Sequence, residues 1–368
     1  MDQGKVSQRV GLVVASMRLG GAERMTLNLA GEFVRRGLDV DLVLVERTGP
    51  LLDAIPAGVR VVDLGARRAR GAIGRLRRYM REERPAALLS VAFQSNILTM
   101  AASLGLRRKP RIVLSVRNAY SATLAANRPA TRIWLSAATR LLYPRADWIV
   151  GISNGTAEDL RRNAGLSADR VRTIYNPVLR GDFGLLAAAP ADQLDMSDDG
   201  SARIISVGRL TRQKDQATLL RAFAEVARSR PARLLILGEG ELRPELEALA
   251  AELGVADRVE LPGVLANPFP YMRESDLFVL SSAWEGFGNV LVEAMATGIP
   301  VISTDCPHGP REILEDGKWG PLVPPGDPKA LAAAMIDVLD GAGVDASARA
   351  REFTVERAAD LYLGLMLG

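Results

Sequence analysis

Short apolar runs alternate with longer amphipathic segments along almost the whole of this chain. The apolar runs have the length of buried strands, and the segments between them have the length of helices. This alternation predicts an α/β fold with parallel sheets that are covered by helices on both faces. We predict strands at residues 9–15, 40–45, 87–93, 112–116, 148–152 and 172–175, and again at 204–207, 234–237, 259–261, 277–280 and 299–303.

The alternation is interrupted once, by a stretch rich in alanine, aspartate, proline and serine that is typical of a linker. We therefore predict two doubly wound, Rossmann-like domains. Ligands of such sheets bind beyond the carboxyl ends of the strands, so two of them can enclose a cleft. The predicted parts are a first domain at 1–182, a linker at 183–202, a second domain at 203–350, and a C-terminal helix at 351–368 that can return to the first domain.

The composition is that of a globular protein of the cytoplasm. The chain has 368 residues, of which 48% are hydrophobic, and this is enough for two cores. A single cysteine, Cys306, allows no intramolecular disulfide and favours a reducing compartment. No apolar run reaches the roughly twenty residues of a membrane span, and the first residues lack a signal-peptide core.

Charge is distributed unevenly between the two predicted domains. Residues 1–182 hold 30 basic and 15 acidic side chains, whereas the remainder holds 17 basic and 28 acidic ones. A half this basic should bind a polyanionic partner. We expect an anionic membrane surface and not nucleic acid, because no nucleic-acid-binding motif is present and aromatic residues are 5% of the chain. Ile73, Leu76 and Met80 form an apolar stripe among arginines that suits a helix lying on a membrane, or else one packed on its own sheet.

Residues 281–300 combine two glutamates with two glycines directly after a predicted strand. We expect a helix to begin near Gly288 or Asn289, with Glu285 in the preceding loop and Glu293 inside the helix. Glycines at a helix start leave room for a phosphate, which the free N–H groups favour. Carboxylates beside such a site can bind sugar hydroxyls. The pattern indicates a sugar-nucleotide site, or alternatively an ordinary turn with two solvated glutamates.

Two cations follow the first predicted strand of the second domain. Arg209 and Lys214 can hold a diphosphate and neutralise the charge that develops when it leaves, as a metal ion would. Asp39 and Asp41 have a spacing used for metal-bound sugar nucleotides, but they begin a predicted strand of the basic domain. We therefore expect no metal ion.

Motifs distributed over nearly the whole chain resemble those of the retaining glycosyltransferases of family 4, which have the GT-B fold of two facing Rossmann-like domains. The most specific of these motifs is the pair Glu285 and Glu293, with seven residues between them, followed by Ala294-Met295-Ala296-Thr297-Gly298-Ile299-Pro300. The others are Gly20-Gly21-Ala22-Glu23-Arg24, Ser153-Asn154, Tyr175-Asn176-Pro177, Val207-Gly208-Arg209-Leu210, Leu237-Gly238-Glu239-Gly240, Gly263, Gly309-Pro310-Arg311-Glu312-Ile313 and Gly320-Pro321-Leu322-Val323-Pro324-Pro325-Gly326-Asp327.

The resemblance implies a role for each matching residue, with neither cofactor nor metal ion. Arg209 and Lys214 would hold the donor diphosphate, Glu293 the ribose hydroxyls, and Glu285 the donor sugar, where it would stabilise charge at the anomeric carbon. These three cleft residues, Glu285, Arg209 and Lys214, would be the catalytic ones. Further donor contacts would come from Gly20, Gly21, Gly238, Gly240, Val264, Leu265, Gly286, Phe287, Gly288, Asn289 and Val290.

The chain departs from the family pattern in the first domain. Many members have a histidine near the sugar, whereas Ser115-Val116-Arg117-Asn118 stands at the corresponding place here. An Arg-Asn pair resembles the subgroup that acts on polyprenyl-diphosphate-linked sugars. We therefore predict that Arg117, Asn118 and Glu23 bind a phosphorylated acceptor. The single histidine, His308, is expected in a loop on the cleft side. Two roles are consistent with this position, a contact with a ligand and a structural one.

Together these features predict an enzyme that transfers a hexose or N-acetylhexosamine, with retention, from a nucleotide sugar. A UDP sugar is favoured, and the acceptor would be lipid-linked or a polysaccharide precursor. The protein would lie peripherally at the inner face of the cell membrane. Transfer to a soluble acceptor is the alternative among enzymes, and a basic membrane-binding protein without activity is the alternative outside them. Epimerisation is disfavoured because it needs more acid and base groups than the chain offers.

Overall fold

The structure, a computed structural model, describes residues 8–18, 20–66, 69–191, 194 and 200–368. The chain divides into two compact units. The first consists of Met1–Pro177 with Val355–Gly368, and the second of Val178–Thr354. Arg67 and Arg68 of the basic segment, and residues 192–193 and 195–199 of the predicted linker, lie outside the described residues.

In its described part, the first unit is built on a parallel sheet of seven strands in the order β3-β2-β1-β4-β5-β6-β7. The strands are β1 (Arg9–Val14), β2 (Asp39–Leu44), β3 (Val59–Asp63), β4 (Ala87–Val91), β5 (Arg111–Val116), β6 (Trp148–Gly151) and β7 (Val171–Thr173). The helices between them are α1 (Gly21–Arg35), α2 (Ala69–Glu82), α3 (Phe93–Ser103), α4 (Tyr120–Ala125), α5 (Pro129–Leu142) and α6 (Asn154–Ala164).

The second unit repeats this design with six strands among its described residues, in the order β10-β9-β8-β11-β12-β13. The strands are β8 (Ala202–Val207), β9 (Ala232–Leu237), β10 (Val259–Gly263), β11 (Leu277–Leu280), β12 (Val301–Thr304) and β13 (Leu322–Val323). The helices are α7 (Phe183–Ala187), α8 (Gln216–Ser229), α9 (Arg243–Glu252), α10 (Phe269–Arg273), α11 (Asn289–Ala296), α12 (Pro310–Ile313), α13 (Pro328–Asp337) and α14 (Ser347–Ala350).

The last helix, α15 (Val355–Leu367), belongs to the first unit. Its side chains Ala359, Tyr362 and Met366 are buried in the core that covers β1, β2 and β4. Arg111 of β5 donates to the carbonyl of Gly368 at 2.6 Å. The boundaries differ from the predicted ones, since the division falls after Pro177 and Thr354, and α7 lies inside the predicted linker. Short 3₁₀ turns lie at Pro50–Ala54, Tyr143–Arg145, Ala256–Arg258 and Arg351–Phe353, and a π-helical turn at Val338–Ala342.

Both sheets confirm the predicted doubly wound α/β fold. In each sheet, the first strand in chain order lies between the second strand and the fourth strand. The second and third strands therefore extend the sheet on one side of the first strand, and the later strands extend it on the other side. This reversal opens a crevice at the carboxyl ends of the first and fourth strands, where ligands of such sheets bind. In the second unit these are β8 and β11, which pair through Ile204 with Leu277 and Ile205 with Phe278.

Local sequence rules account for many of the element limits. The hydroxyl of Ser153 accepts a hydrogen bond from the amide of Thr156 at 3.0 Å and caps α6, whose C-cap is Gly165 with φ of +68°. Two strands were missed. β3 is only partly buried and lacks a continuous apolar run, and β13 has two residues.

Helix α2 packs on its own sheet, so the predicted membrane-facing stripe is wrong. Leu76 and Met80 are buried in the core with Leu88, and Ile73 is partly buried beside them. The arginine side chains of α2 also make internal contacts, since Arg75 donates to the carbonyls of residues 64 and 65. In the described part of the chain no helix is long and apolar enough to cross a membrane.

Asp41 is almost completely buried in the first unit, with 1% of the residue exposed. Its carboxylate accepts two hydrogen bonds of 2.7 Å from Arg60 and one of 2.8 Å from the Tyr79 hydroxyl. Asp41 lies near the amino-terminal end of β2, away from the edge where ligands of such sheets bind. Asp41 is therefore part of a structural ion pair. Asp39, two residues earlier in the same strand, is exposed to solvent.

Replacement of Asp41 by alanine should lower the free energy of unfolding by about 2 kcal/mol, because it leaves the buried Tyr79 hydroxyl without its acceptor and the Arg60 guanidinium with Glu83 as its only carboxylate partner among the described residues. Asp39→Ala is the matched control and should change stability by less than about 0.5 kcal/mol. Urea unfolding followed by circular dichroism measures both. Equal losses in the two variants would contradict the structural role of Asp41.

Candidate active site

The candidate site of the second unit lies at the carboxyl ends of β8 and β11. The loop after β8 carries Arg209 and Lys214, and the loop after β11 carries Glu285. Since neighbouring parallel strands end at the same edge of the sheet, the topology brings these loops together. Residues that are 71 positions apart in the chain thus become direct contacts.

A buried ion pair joins the two loops. The Lys214 Nζ lies 2.5 Å from Glu285 Oε1, and the same oxygen accepts the Ser282 hydroxyl at 2.7 Å. The Glu285 side chain is 8% exposed and the Lys214 side chain 16%, so both charges are largely withdrawn from water. A carboxylate in such a place is stable only with a cation and hydrogen-bond donors beside it. The structure thus brings Glu285 and Lys214, two of the predicted site residues, into direct contact.

Backbone hydrogen bonds hold the loops in register around this pair. The amide of Ala283 donates to the Gln213 carbonyl at 2.8 Å, and the Gln213 side chain donates to the Trp284 carbonyl at 3.0 Å. The Ser281 hydroxyl donates to the Lys214 carbonyl at 2.9 Å. The position of the ion pair is therefore set by main-chain contacts on both sides.

Arg209 differs from Lys214 in being exposed. Its Nη2 lies 3.4 Å from the Gln213 side-chain oxygen, and its carbonyl accepts the Gln216 side chain at 2.9 Å. Within the described residues no carboxylate is paired with it. Arg209 is thus a cation at the site's edge that is available to an anion.

The glycines after β8 and β9 allow main chains to touch. A Cβ on Gly238, where φ is +150°, would lie 1.9 Å from the Gly208 carbonyl oxygen, and one on Gly240 would lie 2.2 Å from the Leu210 carbonyl oxygen. The amide of Gly238 also donates to the Gly263 carbonyl at 2.8 Å. Both glycines therefore have a packing role that is independent of any ligand.

Helix α11 begins at Asn289, as predicted, and Gly288 at its N-cap has φ of +102°. The side chain of Phe287 is buried and packs edge-on against Phe353, with ring centroids 5.5 Å apart. Because this side chain is buried, a ligand could contact Phe287 only through its backbone groups. Glu293 lies on α11 and is partly exposed, so its carboxylate is not part of the buried pair.

The loop after β12 forms a third wall around Glu285. The Glu285 amide donates to the Pro307 carbonyl at 3.3 Å. Burial raises the pKa of the Cys306 thiol to about 12, and the negative charge of Glu285 adds to this effect. Cys306 is therefore a neutral thiol at physiological pH. His308 lies in this loop with φ of +65°, an uncommon conformation for a side chain of its size.

The first unit brings the predicted acceptor residues Glu23 and Arg117 within electrostatic range of each other. Burial lowers the pKa of the Arg117 guanidinium, while the Tyr362 side chain and the Glu23 carboxylate act in the opposite direction. The Tyr362 hydroxyl lies 3.2 Å from the Ser115 hydroxyl, which is 3.4 Å from Arg117 Nη1. Among the described residues no carboxylate forms an ion pair with Arg117, whose guanidinium contacts the Ser115 hydroxyl and the Met25 sulfur.

The remaining predicted residues are dispersed. Gly20 and Gly21 form the start of α1, Asn118 is exposed beside Arg117, and Val264 is 69% exposed. Leu265, Gly286 and Val290 are partly exposed. Sequence reasoning missed the supporting residues Ser282, Gln213 and Tyr362. Ser282 could have been found from its place three residues before Glu285, but nothing in the sequence linked Tyr362 of α15 to Arg117.

No group of three His, Cys, Asp or Glu side chains suited to a metal ion is found in the described part of the chain. The charged groups at the β8–β11 edge are instead one buried carboxylate and two cations. This set can bind an anionic group and, next to it, a region of developing positive charge.

Comparison with known proteins gives two family matches in succession. Residues 19–179 match the family "Glycosyltransferase Family 4" and residues 201–341 match "Glycosyl transferases group 1". The structure also resembles that of Anabaena Alr3699/HepE in complex with UDP-glucose, with a TM-score of 0.78, 22% identity, and coverage of 97% of this chain and 99% of that one. This likeness supports the GT-B fold.

Two curated relatives align over shorter stretches. One is an N-acetylgalactosamine-N,N'-diacetylbacillosaminyl-diphospho-undecaprenol 4-alpha-N-acetylgalactosaminyltransferase of Campylobacter jejuni, 38% identical over 183 residues, which are 50% of this chain and 48% of the relative. The other is the lipopolysaccharide core biosynthesis glycosyltransferase LpsE of Rhizobium meliloti, 35% identical over 241 residues, which are 62% of this chain and 66% of the relative. The chain thus spans about half the length of the Campylobacter relative and two thirds of the Rhizobium one.

A double-mutant cycle tests the coupling between Lys214 and Glu285. Each of Lys214→Met and Glu285→Gln should lower the unfolding free energy of the second unit, because each leaves a partner charge buried without compensation. The double variant should lose less than the sum, with a coupling energy of about 1–3 kcal/mol. Urea unfolding followed by tryptophan fluorescence measures it. Additive losses would show that the two side chains do not interact.

Proposed function

Because the chain belongs to glycosyltransferase family 4, we propose that it transfers a hexose or N-acetylhexosamine from a nucleotide sugar to an acceptor, with retention of configuration. A UDP sugar is the favoured donor. The observation that carries the proposal is the buried Lys214–Glu285 pair at the β8–β11 edge, with the exposed cation Arg209 beside it. A site of this kind offers positive charge to a diphosphate and negative charge to a sugar ring.

In the proposed complex Arg209 and Lys214 bind the diphosphate oxygens. Lys214 can do so while it remains close to Glu285, because an ammonium group has three donors. Glu285 then lies where the sugar is held, and its carboxylate accepts sugar hydroxyls and stabilises positive charge at the anomeric carbon. The hydrogen bond from Ser282 keeps this carboxylate in place when Lys214 also contacts phosphate.

The proposed reaction breaks the bond between the anomeric carbon and the diphosphate oxygen. The electron pair of this bond stays on the diphosphate, whose charge Arg209 and Lys214 neutralise. The acceptor hydroxyl forms its bond to the anomeric carbon on the same face, and its proton passes to the leaving diphosphate oxygen. The products are the glycosylated acceptor and the nucleoside diphosphate, and the chemistry needs no proton from Cys306.

The nucleoside would lie along the neighbouring loops. We assign the ribose hydroxyls to Glu293, which α11 presents partly exposed to solvent. The base would lie near Gly238, Gly240, Val264 and Leu265, of which Val264 is exposed and Gly240 and Leu265 are partly exposed. The amino-terminal end of α11 at Gly288 and Asn289 favours phosphate through the positive end of the helix dipole. For Gly20 and Gly21, at the start of α1, a contact with the donor stays a prediction.

For the acceptor we propose a lipid-linked saccharide or polysaccharide precursor whose phosphate is bound by Arg117. This guanidinium is partly buried and has no carboxylate partner in the described part of the chain, so a phosphate would supply the missing anion. Asn118 and Glu23 would bind acceptor hydroxyls. The undecaprenol-linked substrate in the name of the Campylobacter relative agrees with this acceptor class. The protein would then act peripherally at the inner face of the cell membrane.

Donor binding is tested by thermal shift with UDP-glucose, UDP-galactose and UDP-N-acetylglucosamine. One of them at 100 times its dissociation constant should stabilise the protein by about 2.7 kcal/mol. Arg209→Gln should weaken binding by about tenfold or more, since it removes a charged contact to the diphosphate. Arg212→Gln, which changes an exposed arginine three residues away, is the matched control and should bind normally.

In the same protein Glu285→Gln should retain UDP binding but lower the rate constant of transfer by about a hundredfold or more. Full transfer activity of Glu285→Gln, or an equal effect of Arg209→Gln and Arg212→Gln, would contradict the proposed donor site.

Acceptor binding is tested in detergent with a short prenyl-diphosphate-linked saccharide and with the same saccharide in free form. Arg117→Ala should raise the KM for the linked acceptor by about tenfold or more and leave the donor KM unchanged. Arg117→Lys should recover part of the loss, and Arg108→Ala, at an exposed arginine, should have no effect. Equal use of both acceptors by the unaltered protein would indicate a soluble acceptor, and equal losses for donor and acceptor would contradict the role of Arg117.

A further inference from the structure

Helix α5 has an apolar face on each of its two sides. One side packs inward, where Leu135, Thr139 and Leu142 are buried. The other side faces solvent although it carries three large hydrophobic side chains. Ile133 is 70% exposed, Trp134 59% and Leu141 60%. A helix on the surface of a soluble domain normally has polar residues on its outer side, so this face is unusual.

The exposed hydrophobic residues form one continuous stripe. At about 100° per residue, Ile133, Trp134 and Leu141 lie within roughly a third of the helix circumference, together with the small exposed residues Ala130 and Ala137. The buried residues Leu135 and Leu142 lie on the far side of the helix. The stripe is therefore a surface that nothing in the described part of the chain covers.

Arginines whose charge the protein does not neutralise accompany this stripe. At about 100° per residue, Arg140 lies roughly 20° from Ile133, at the border of the stripe, and Arg132 lies about 100° from it. Arg128 is the N-cap residue directly before α5. All three are exposed, and no carboxylate pairs with them among the described residues, since residues 84–146 contain ten lysines and arginines and no aspartate or glutamate. An exposed apolar stripe on a helix with unpaired arginines matches the interface of an anionic bilayer, with an acyl layer below and phosphates above.

We propose that α5 is the membrane-docking element of this protein and that its stripe enters the headgroup region of an anionic bilayer. Trp134 suits this depth because its ring is apolar and its N–H is polar. The inference extends the proposed function, which places the acceptor on a lipid, but it rests on its own observations. Self-association through this face is disfavoured, since a two-fold contact would bring the unpaired arginines of both copies together without carboxylates.

Helix α2 provides a comparison within the same unit. It has five arginines, whereas α5 has two, but its apolar residues Leu76, Tyr79 and Met80 are buried in the core. It offers charge without an exposed apolar stripe. If positive charge alone caused membrane binding, α2 would bind a membrane as well as α5 does. Substitutions in one helix at a time distinguish the contributions of the two helices to membrane binding.

Co-sedimentation of the full chain with vesicles tests the proposal. We expect binding to vesicles of phosphatidylcholine with phosphatidylglycerol and little binding to phosphatidylcholine alone. The variant I133S/W134S/L141S should reduce binding by about tenfold or more. The variant R128Q/R132Q/R140Q should also reduce it and should lower its dependence on salt. Leu185→Ser, at a residue of α7 that is 79% exposed, and R78Q/R81Q on α2 are the matched controls and should bind normally.

Tryptophan fluorescence gives an independent measurement. The difference spectrum between the unaltered chain and Trp134→Phe should shift to shorter wavelength on addition of the anionic vesicles, and brominated lipid should quench it. Normal binding by I133S/W134S/L141S, or an equal loss with R78Q/R81Q, would overturn the assignment to α5. Light scattering gives a further check. If the unaltered chain is a dimer and I133S/W134S/L141S is a monomer, a second copy of the chain covers this face, and the membrane-docking proposal is overturned as well.

The outcome can be separated from that of the proposed function. Transfer to a detergent-dispersed acceptor needs no membrane, and the triple serine variant should keep it along with its thermal shift by a UDP sugar, which also verifies its folding. If the unaltered chain transfers sugar in detergent but does not bind vesicles, the docking proposal fails alone. If it binds vesicles through α5 but transfers no sugar, the proposed function fails alone.

Discussion

A carboxylate that is withdrawn from water must have its charge balanced where it lies, and this requirement organises the second unit. Glu285 has 8% of its side chain exposed, and its charge is balanced by Lys214 and the Ser282 hydroxyl. These three residues come from two loops that only the parallel sheet brings together. The cost of burying the carboxylate therefore ties the chemistry of the site to the topology of the fold.

The same dependence explains why main-chain contacts are so dense at this edge of the sheet. Gly238 and Gly240 allow neighbouring loops to touch, and Gln213 bonds to the loop that carries Glu285. A shift of any of these loops would separate the charges of the pair. Rigid placement of charge before a ligand arrives is what electrostatic stabilisation of a transition state needs, because little reorganisation remains to be done.

The sequence predicted the fold and the central pair of the site for clear physical reasons. Buried parallel strands are continuous apolar runs, and the residues that follow them must meet at one edge. Prediction failed where the deciding contact was distant or the local pattern was ambiguous. The stripe of Leu76 and Met80 fitted a membrane as well as a core, whereas the exposed stripe of α5 was not recognised, since periodicity does not tell which apolar face is covered. Tyr362 reaches Arg117 only through tertiary packing of the last helix.

The return of α15 to the first unit makes the second unit an insertion within the first. The inserted unit begins and ends with neighbouring segments, since the Val178 amide donates to the Phe353 carbonyl at 2.9 Å and Leu179 pairs with Thr354. During synthesis all residues of the second unit therefore precede α15, and the core of the first unit can be completed only after α15 has left the ribosome. The first strands to be synthesised thus receive their last packing partner after the whole second unit has been synthesised.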